Sequence, residues 1–363
     1  MGVFSRAHAP WLQDDDQDGR TKARAARALD HHVLRTAFMD VVGRPPFEAE
    51  YQRWLDAGLG SLLDHLLGGA EYWWHWWEEQ LYYFLLIDNF RPETNTAREI
   101  PSNLAEGRLS VRDALHRVAL TPTFDLRNPG ADTFVTVVME QFCGIVVQDQ
   151  VRELEIGKKA YDGGKGRFLG TTAESQADVI EVAVQHRRAA QHLVAREFER
   201  LTRRAPEKGD LARWSALLHR DPYRYLELSR EWLLSESYAQ RLAQPVPKSN
   251  RLFVRSLFVD LLGRLPTQEE LEPMRNALDG LADSRPLRSV LARLLLDSGQ
   301  AHAPAKASVE DPSGWIAERF RRLLGREASA EELRTFLSVF HDAECRTETI
   351  LYALLSHSEY HSY

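Results

Sequence analysis

The chain has 363 residues and a formal net charge of −7, and 44% of its residues are hydrophobic. This length predicts roughly two or three domains or one long array, with enough apolar residues to bury a core. The mild acidity argues against a nucleic-acid-binding protein, because such proteins usually carry a basic surface. The two cysteines, Cys143 and Cys345, exclude a disulfide framework and a cysteine-ligated zinc site.

The amino-terminal sequence has no apolar segment of signal-peptide length, and no run of about 18 apolar residues predicts a membrane span. The longest apolar run, residues 72–87, is interrupted by His75, Glu78, Glu79 and Gln80. We therefore expect a cytoplasmic protein without a membrane span.

Three segments share one pattern of apolar residues, and a fourth segment is a degenerate copy. The four segments begin at Leu34, Val194, Val254 and Ile316. Each has apolar residues at offsets 0, 4 and 7, which places these side chains on one face of an α-helix. In three segments a glycine follows, at Gly43, Gly263 or Gly325. Glycine easily takes the left-handed conformation that ends a helix, so we expect each helix to stop there.

A second helix is predicted shortly after each stop. Thr267–Glu270 and Ser329–Glu332 have the spacing of a capping box, in which a hydroxyl and a glutamate cap the helix start. The arginine after each glycine is expected to pair with a glutamate of the next helix: Arg44 with Glu50, Arg264 with Glu270, and Arg326 with Glu332. A third helix completes each unit.

The sequence thus predicts an all-α fold of four degenerate helix-hairpin units, with a helical insertion after the first unit. The predicted boundaries are a disordered lead at 1–19, hairpin units at 20–72, 194–243, 251–301 and 314–363, an aromatic-rich helical insertion at 73–193, and linkers at 244–250 and 302–313. Within this framework, residues 157–170 are expected to form a flexible basic loop. Residues 173–204 are expected to form one long helix.

The most unusual local feature is the tryptophan cluster Trp73, Trp74, Trp76 and Trp77. Four indoles on neighbouring helical positions cannot all face one core. They pack against other helices of the insertion or form a surface for a partner or ligand, and both interpretations stay open.

The predicted basic loop supplies a second set of candidate binding residues: Lys158, Lys159, Lys165 and Arg167. Its glycines and lysines do not match the spacing of a phosphate-binding loop. We therefore expect a loop that becomes ordered when it binds a partner.

A metal site formed by two helices of the insertion is the alternative to a binding surface. His75 and Glu79 are four residues apart and share a helix face, and Glu181 and His192 are separated by about three helical turns. Two such helices could build a carboxylate-bridged iron or manganese site in a helical bundle. The usual Glu-x-x-His spacing is missing, so we favour neither a metal nor another cofactor, and we identify no catalytic residue.

The first unit and the start of the insertion carry a longer pattern. Its members, in order, are Gly43, Arg44, Pro45, Pro46, Tyr72, Trp74, Trp77, Tyr83, Asp88, Arg91 and Pro92. This order resembles the planctomycete cytochrome-associated domain of unknown function, over residues ~30–150 with an extension towards 240. The C-terminal units also resemble the short helical repeat of bacterial surface and phycobilisome-linker-like proteins.

The first resemblance implies a role beside a cytochrome or another redox system, in relatives that are generally exported. Many of those relatives carry a Cys-x-x-Cys-His string, and the matching stretch here has neither histidine nor a second cysteine. This difference excludes covalent haem attachment.

The function favoured by the sequence is that of an interaction or scaffold protein. The aromatic helix and the basic loop would be presented to a protein partner, and the oligomeric state is left open. The alternatives are a helical metal-dependent oxidoreductase and an accessory to a redox or cytochrome system.

Overall fold

The computed structural model describes residues 29–86 and 98–363, and regular structure in this part of the chain is almost entirely α-helical. The helices α1 to α20 span His31–Val42, Glu48–Trp54, Leu59–Leu67, Ala70–Leu85, Ile100–Ala105, Val111–Ala119, Pro122–Arg127, Ala131–Val137, Val151–Tyr161, Gln176–Gln185, Arg187–Thr202, Lys208–Arg220, Tyr225–Leu233, Glu236–Leu242, Asn250–Leu262, Gln268–Asp279, Arg285–Asp297, Pro312–Leu324, Ala330–His341 and Thr347–Leu355. The prediction of an all-α fold is confirmed. The predicted disordered lead at 1–19 lies outside the described residues.

The described chain forms two compact bodies. The terminal body contains residues 29–38, Arg44–Asp64 and Leu234–Tyr363. The central body contains Met39–Gly43 and, in its described part, His65–Leu233. The division thus places residues of the first predicted hairpin unit together with the last two, while the predicted four-unit arrangement itself stays a prediction.

The predicted helix stops are confirmed by the backbone. Gly43, Gly263 and Gly325 follow α1, α15 and α18 and have φ values of 70°, 64° and 71°. In the degenerate segment, Arg203 ends α11 with a φ of 59°, although it is not a glycine. A side chain with a Cβ makes this conformation unfavourable, so the fourth stop depends on surrounding structure rather than on residue type.

The predicted pairs at the hairpin corners are also present. Arg44 pairs with Glu50, Arg264 with Glu270, and Arg326 with Glu332, each with a shortest nitrogen–oxygen distance of 2.7 Å. Thr267 and Ser329 form the predicted capping boxes. Each glutamate therefore caps its own helix and fixes the arginine of the preceding turn.

The terminal body is organised around a buried carboxylate on α15. Asp260 accepts two hydrogen bonds from Arg35, at 2.9 and 2.6 Å, and a third from the hydroxyl of Tyr360 at 2.7 Å. The side chains of Arg35 and Asp260 are only 4% and 6% exposed. Because a buried charge is costly unless it is paired, this geometry fixes residues from three distant parts of the chain.

In the central body, residues 157–170 do not form the predicted flexible basic loop. Residues 157–161 belong to α9, and a hairpin follows, with β1 Gly166–Phe168 antiparallel to β2 Thr171–Ala173. The two-residue turn consists of Leu169 and Gly170, whose φ values of 44° and 86° suit the twist of a tight hairpin. The prediction of a flexible loop was wrong because the strands are short and their pairing is not visible in a glycine-rich sequence.

The predicted long helix at 173–204 is also corrected. Ala173 lies in β2, and the helical residues divide into α10 and α11 at His186. His186 has extended dihedral angles (φ −69°, ψ 141°), and its side chain accepts a hydrogen bond from the backbone nitrogen of Arg188. The imidazole thus caps the start of α11, a role that the apolar pattern did not reveal.

In the part of the chain that the structure describes, no helix combines the length and apolar character needed to cross a membrane.

Gly263→Ala is expected to lower the free energy of unfolding by about 1 kcal/mol, because a Cβ disfavours the left-handed conformation. The added Cβ would also lie 3.1 Å from Cε1 of His302. Urea denaturation followed by circular dichroism measures this effect. Gly209→Ala is the control, since it lies in α12 with no atom within 4 Å of the new Cβ and should keep or raise stability. Equal stability of the two variants would contradict the assigned helix stop.

The corner pairs predict a pH dependence of stability. Hydrogen bonds from Arg326 and from the backbone of Ser329 lower the pKa of Glu332 from 4.5 to about 2. A carboxylate with a lowered pKa contributes stability above pH 4.5 that is lost as the pH falls to about 2. Glu332→Gln should therefore flatten the decline of the melting temperature over this interval. Glu331→Gln, which removes the same charge without these bonds, should leave the decline as steep as in the wild type.

Candidate functional site

Three of the four clustered tryptophans are buried. Trp73, Trp76 and Trp77 are at most 5% exposed, whereas Trp74 is 46% exposed. Trp76 stacks edge to face with Trp73 and donates a hydrogen bond of 3.0 Å from Nε1 to the hydroxyl of Tyr225. Most of the cluster therefore packs inside the central body, and Trp74 alone among the four presents a large surface to solvent.

The buried face of α4 ends in a polar network centred on Glu197 of α11. This carboxylate is 1% exposed and accepts hydrogen bonds from four side chains. The donors are Gln80 (3.0 Å), Tyr225 (3.0 Å), Arg200 (3.1 Å) and Arg196 (3.3 Å). One buried carboxylate thus fixes two arginines and joins α4, α11 and α13.

The environment keeps Glu197 ionised. Burial by itself raises the pKa of Glu197, but the charges of Arg200 and Arg196 and the hydrogen bonds from Gln80 and Tyr225 lower it below its usual value. Burial also raises the pKa of Tyr225 well above its usual value, and the charge of Glu197 adds to this effect. The phenol is therefore a stable donor at neutral pH, and the network is a structural anchor rather than a proton-transfer group.

An open cleft of about 570 Å³ lies directly over this network. Tyr82, Tyr83 and Leu86 line it from α4 and its C-terminal end, and Arg196, Arg200 and Arg203 line it from α11. Tyr82 and Leu86 are 49% and 57% exposed. The cleft is in the size range of sites that accept a small ligand or a few side chains of a peptide.

Backbone strain is concentrated at this cleft. Among the described residues other than glycine, only Leu86, Leu169 and Arg203 have positive φ values, and both Leu86 and Arg203 line the cleft. Such conformations cost energy and are enriched at functional sites. The strain therefore supports the assignment of the cleft as the candidate functional site.

The side chains at the floor of the cleft are held by mutual contacts, and two buried polar atoms among them have no hydrogen-bond partner among the described residues. The guanidinium of Arg196 lies 3.9 Å from the centre of the Tyr83 ring and also donates to Gln80. Gln141 reaches the cleft from a π-helical turn, Val138–Phe142, a local irregularity that is frequent at functional sites. Nε of Arg196 and Oε1 of Gln141 are buried and have no hydrogen-bond partner among the described residues.

The four residues of the metal alternative have other neighbours. His192 is within 3.0 Å of the hydroxyl of Tyr83, and burial and the charge of Arg196 lower its pKa to about 4. Glu181 pairs with His116 at 3.0 Å. His75 packs against Gly43, and Glu79 lines the cleft.

A metal site gains no support from this arrangement. In the described ranges, 29–86 and 98–363, no group of three or more His, Cys, Asp or Glu side chains is placed to hold a metal ion. The oxidoreductase alternative therefore has no observation in its favour in this part of the chain.

Of the predicted basic residues, Lys158 and Lys159 lie on α9, Lys165 directly precedes β1, and Arg167 lies on β1. Lys158 pairs with Asp132 and Glu155, at 3.0 and 2.9 Å. Lys159, Lys165 and Arg167 are exposed. Nε of Arg167 donates to the carbonyl oxygen of Gly170 across the hairpin turn, so that this side chain also stabilises the turn.

The sequence did not single out the residues of the cleft floor. By itself, the sequence of the basic stretch 187–204 predicts a solvated helix surface, because Glu197 and Glu199 offset part of its arginine charge. A signal was present in the spacing of Arg196, Glu197 and Arg200, which puts two arginines within reach of one glutamate. Burial of this group could not be predicted, because it depends on Gln80 and Tyr225 from distant helices.

Comparison of the chain with models of known protein families, with curated proteins and with solved structures found no match in any of the three. The function is therefore argued from the geometry of the site. The resemblances to the planctomycete cytochrome-associated domain and to the short helical repeat stay predictions.

Glu197→Gln is expected to lower the free energy of unfolding by about 3–5 kcal/mol, because it leaves two largely buried guanidiniums without their counter-charge. Urea denaturation at neutral pH measures the change. Glu199→Gln, two residues away on the exposed side of α11, is the matched control and should stay within about 0.5 kcal/mol of the wild type. A loss for Glu197→Gln no larger than that of the control would contradict the role of Glu197 as an anchor.

Proposed function

We propose that this chain is a helical interaction protein and that the cleft of the central body receives an extended segment of a partner protein. The observation that carries the proposal is the lining of the cleft. It combines exposed aromatic and aliphatic side chains with two arginines that are already held by the buried carboxylate of Glu197. Rigid arginines next to exposed tyrosines are the residue types that dominate binding energy at protein interfaces.

The exposed residues of the aromatic helix support a contact longer than the cleft itself. Trp74 and Tyr82 are eight residues apart on α4, which separates them by about 80° around the helix, and Leu86 is the left-handed residue that ends it. All three are large and about half exposed. Of the four tryptophans, for which packing and a binding surface were both open, only Trp74 contributes to this surface, together with a tyrosine and a leucine that the sequence did not single out.

The strained end of α11 favours a binding role over a purely structural one. Glycine at position 203 would remove the cost of the left-handed conformation, yet the chain has an arginine there that lines the cleft. A residue that costs stability and lies in an open cleft is expected where the side chain is needed for binding. The basic residues of the hairpin, Lys165 and Arg167, stay a predicted second contact.

The test is a selection of displayed twelve-residue peptides against the purified chain, followed by measurement of their dissociation constants. Tyr82→Ala should weaken the selected peptides about tenfold, and Trp74→Ala should weaken those that extend along α4. Tyr223→Ala is the control, because Tyr223 is equally exposed, at 56%, and lies outside the cleft lining. Failure to select any binder, or equal losses in Tyr82→Ala and Tyr223→Ala, would refute the proposal.

Arg203→Gly separates binding from stability. It should raise the free energy of unfolding by about 0.5–1 kcal/mol, by removing strain, and should weaken peptide binding about fivefold. Urea denaturation and the same peptide titration measure the two effects. A variant that gains stability and binds as tightly as the wild type would show that this arginine does not serve the site.

A further inference from the structure

We infer that the cleft recognises a carboxylate, carried by an acidic residue with an apolar neighbour in the partner segment, and that Arg200 is the residue that reads it. This inference rests on the proposed function and deepens it by naming the chemistry of the partner. It is carried by the hydrogen-bond donors that the cleft floor leaves without an acceptor among the described residues.

The charges of the whole lining are balanced, because Arg196, Arg200 and Arg203 face Glu79, Glu197 and Glu199. On the floor itself, Arg196 and Arg200 both pair with the single buried carboxylate of Glu197. The two arginine side chains are only 17% and 20% exposed, which limits compensation by water. A bound carboxylate would therefore be held by the hydrogen-bond donors of these arginines rather than attracted by a net charge.

Two arginines of the lining keep guanidinium nitrogens free to bind: Arg203, which is exposed, and Arg200, which is held in place on the floor. Arg200 donates to Glu197 through Nε, and its two terminal nitrogens have no acceptor among the described residues. These nitrogens form a planar fork whose geometry fits both oxygens of a carboxylate. Because Nε already fixes the guanidinium, little side-chain entropy remains to be lost when the fork binds.

The acidic residues of the rim limit which anion fits. Glu79 and Glu199 also line the cleft. Burial by itself lowers the pKa of Arg200, but the charge of Glu197 and, to a smaller extent, that of Glu79 raise it above its usual value. The charges of Glu79 and Glu199 repel a dianion more strongly than a monoanion. A carboxylate is therefore favoured over a phosphate, although both match the arginine fork.

The apolar residues of the lining indicate which residue of the partner segment stands next to the acidic one. Tyr82 and Leu86 present exposed apolar surface on the α4 side of the cleft. An extended segment with an acidic residue beside an apolar one meets all of these groups.

The test uses the twelve-residue peptides that the display selection yields. The inference expects an acidic residue next to an apolar one in most binders. Replacing that acid by its amide should raise the dissociation constant about tenfold for the wild-type chain. In Arg200→Lys, which keeps the charge and loses the fork, the same replacement should change it less than about threefold. Arg220→Lys, at the end of α12 and outside the cleft lining, is the control and should keep the tenfold preference.

Three outcomes would overturn the inference. Binders without an acidic residue, or equal affinity of acid and amide peptides, would refute carboxylate recognition while leaving the interaction function in place. Tighter binding when phosphoserine replaces the acid would assign the fork to phosphate instead. An unchanged acid preference in Arg200→Lys, with circular dichroism confirming the fold, would assign the recognition to another residue. Absence of any selected binder is the separate outcome that removes the proposed function itself.

Discussion

One buried carboxylate, shared by two arginines, is the interaction on which the site depends. Glu197 has to stay ionised in the interior, and it can do so because two guanidiniums, an amide and a phenol compensate for the lost hydration. The same contacts fix the positions of three helices. They also leave the terminal nitrogens of Arg200 without an acceptor among the described residues, so the group that stabilises the fold locally also leaves donors for a bound carboxylate.

The tryptophan cluster shows how packing and binding divide a single helix. The buried indoles of α4 contact the interior of the central body, where Trp76 bonds to the same tyrosine that bonds to Glu197. The opposite side of the helix keeps large side chains in solvent. The rigidity of the exposed side follows from the buried one, because a helix fixed by aromatic packing loses little further freedom when a partner binds.

The two bodies use the same physical device in different ways. In the terminal body, Asp260 is satisfied by a bidentate arginine and a tyrosine, with one guanidinium for one carboxylate. In the central body, Glu197 has two guanidiniums. In the first arrangement one guanidinium balances the charge of one carboxylate. In the second, two guanidiniums share one carboxylate, and the terminal nitrogens of Arg200 have no acceptor among the described residues. This difference in stoichiometry is what distinguishes a structural ion pair from a candidate binding site.

The sequence by itself determined the helical class, the glycine stops, the capping boxes and the arginine–glutamate corners, because each is set by residues within one or two turns of each other. It did not determine the hairpin at Gly166–Ala173, the break at His186 or the exposure of Trp74. The cleft floor was decided by tertiary structure alone, since Gln80, Glu197 and Tyr225 meet only after their helices pack. Burial of Glu197 is what makes its hydrogen bonds to Arg196 and Arg200 strong enough to fix these side chains. Burial depends on how the helices pack, so no local sequence pattern predicts it.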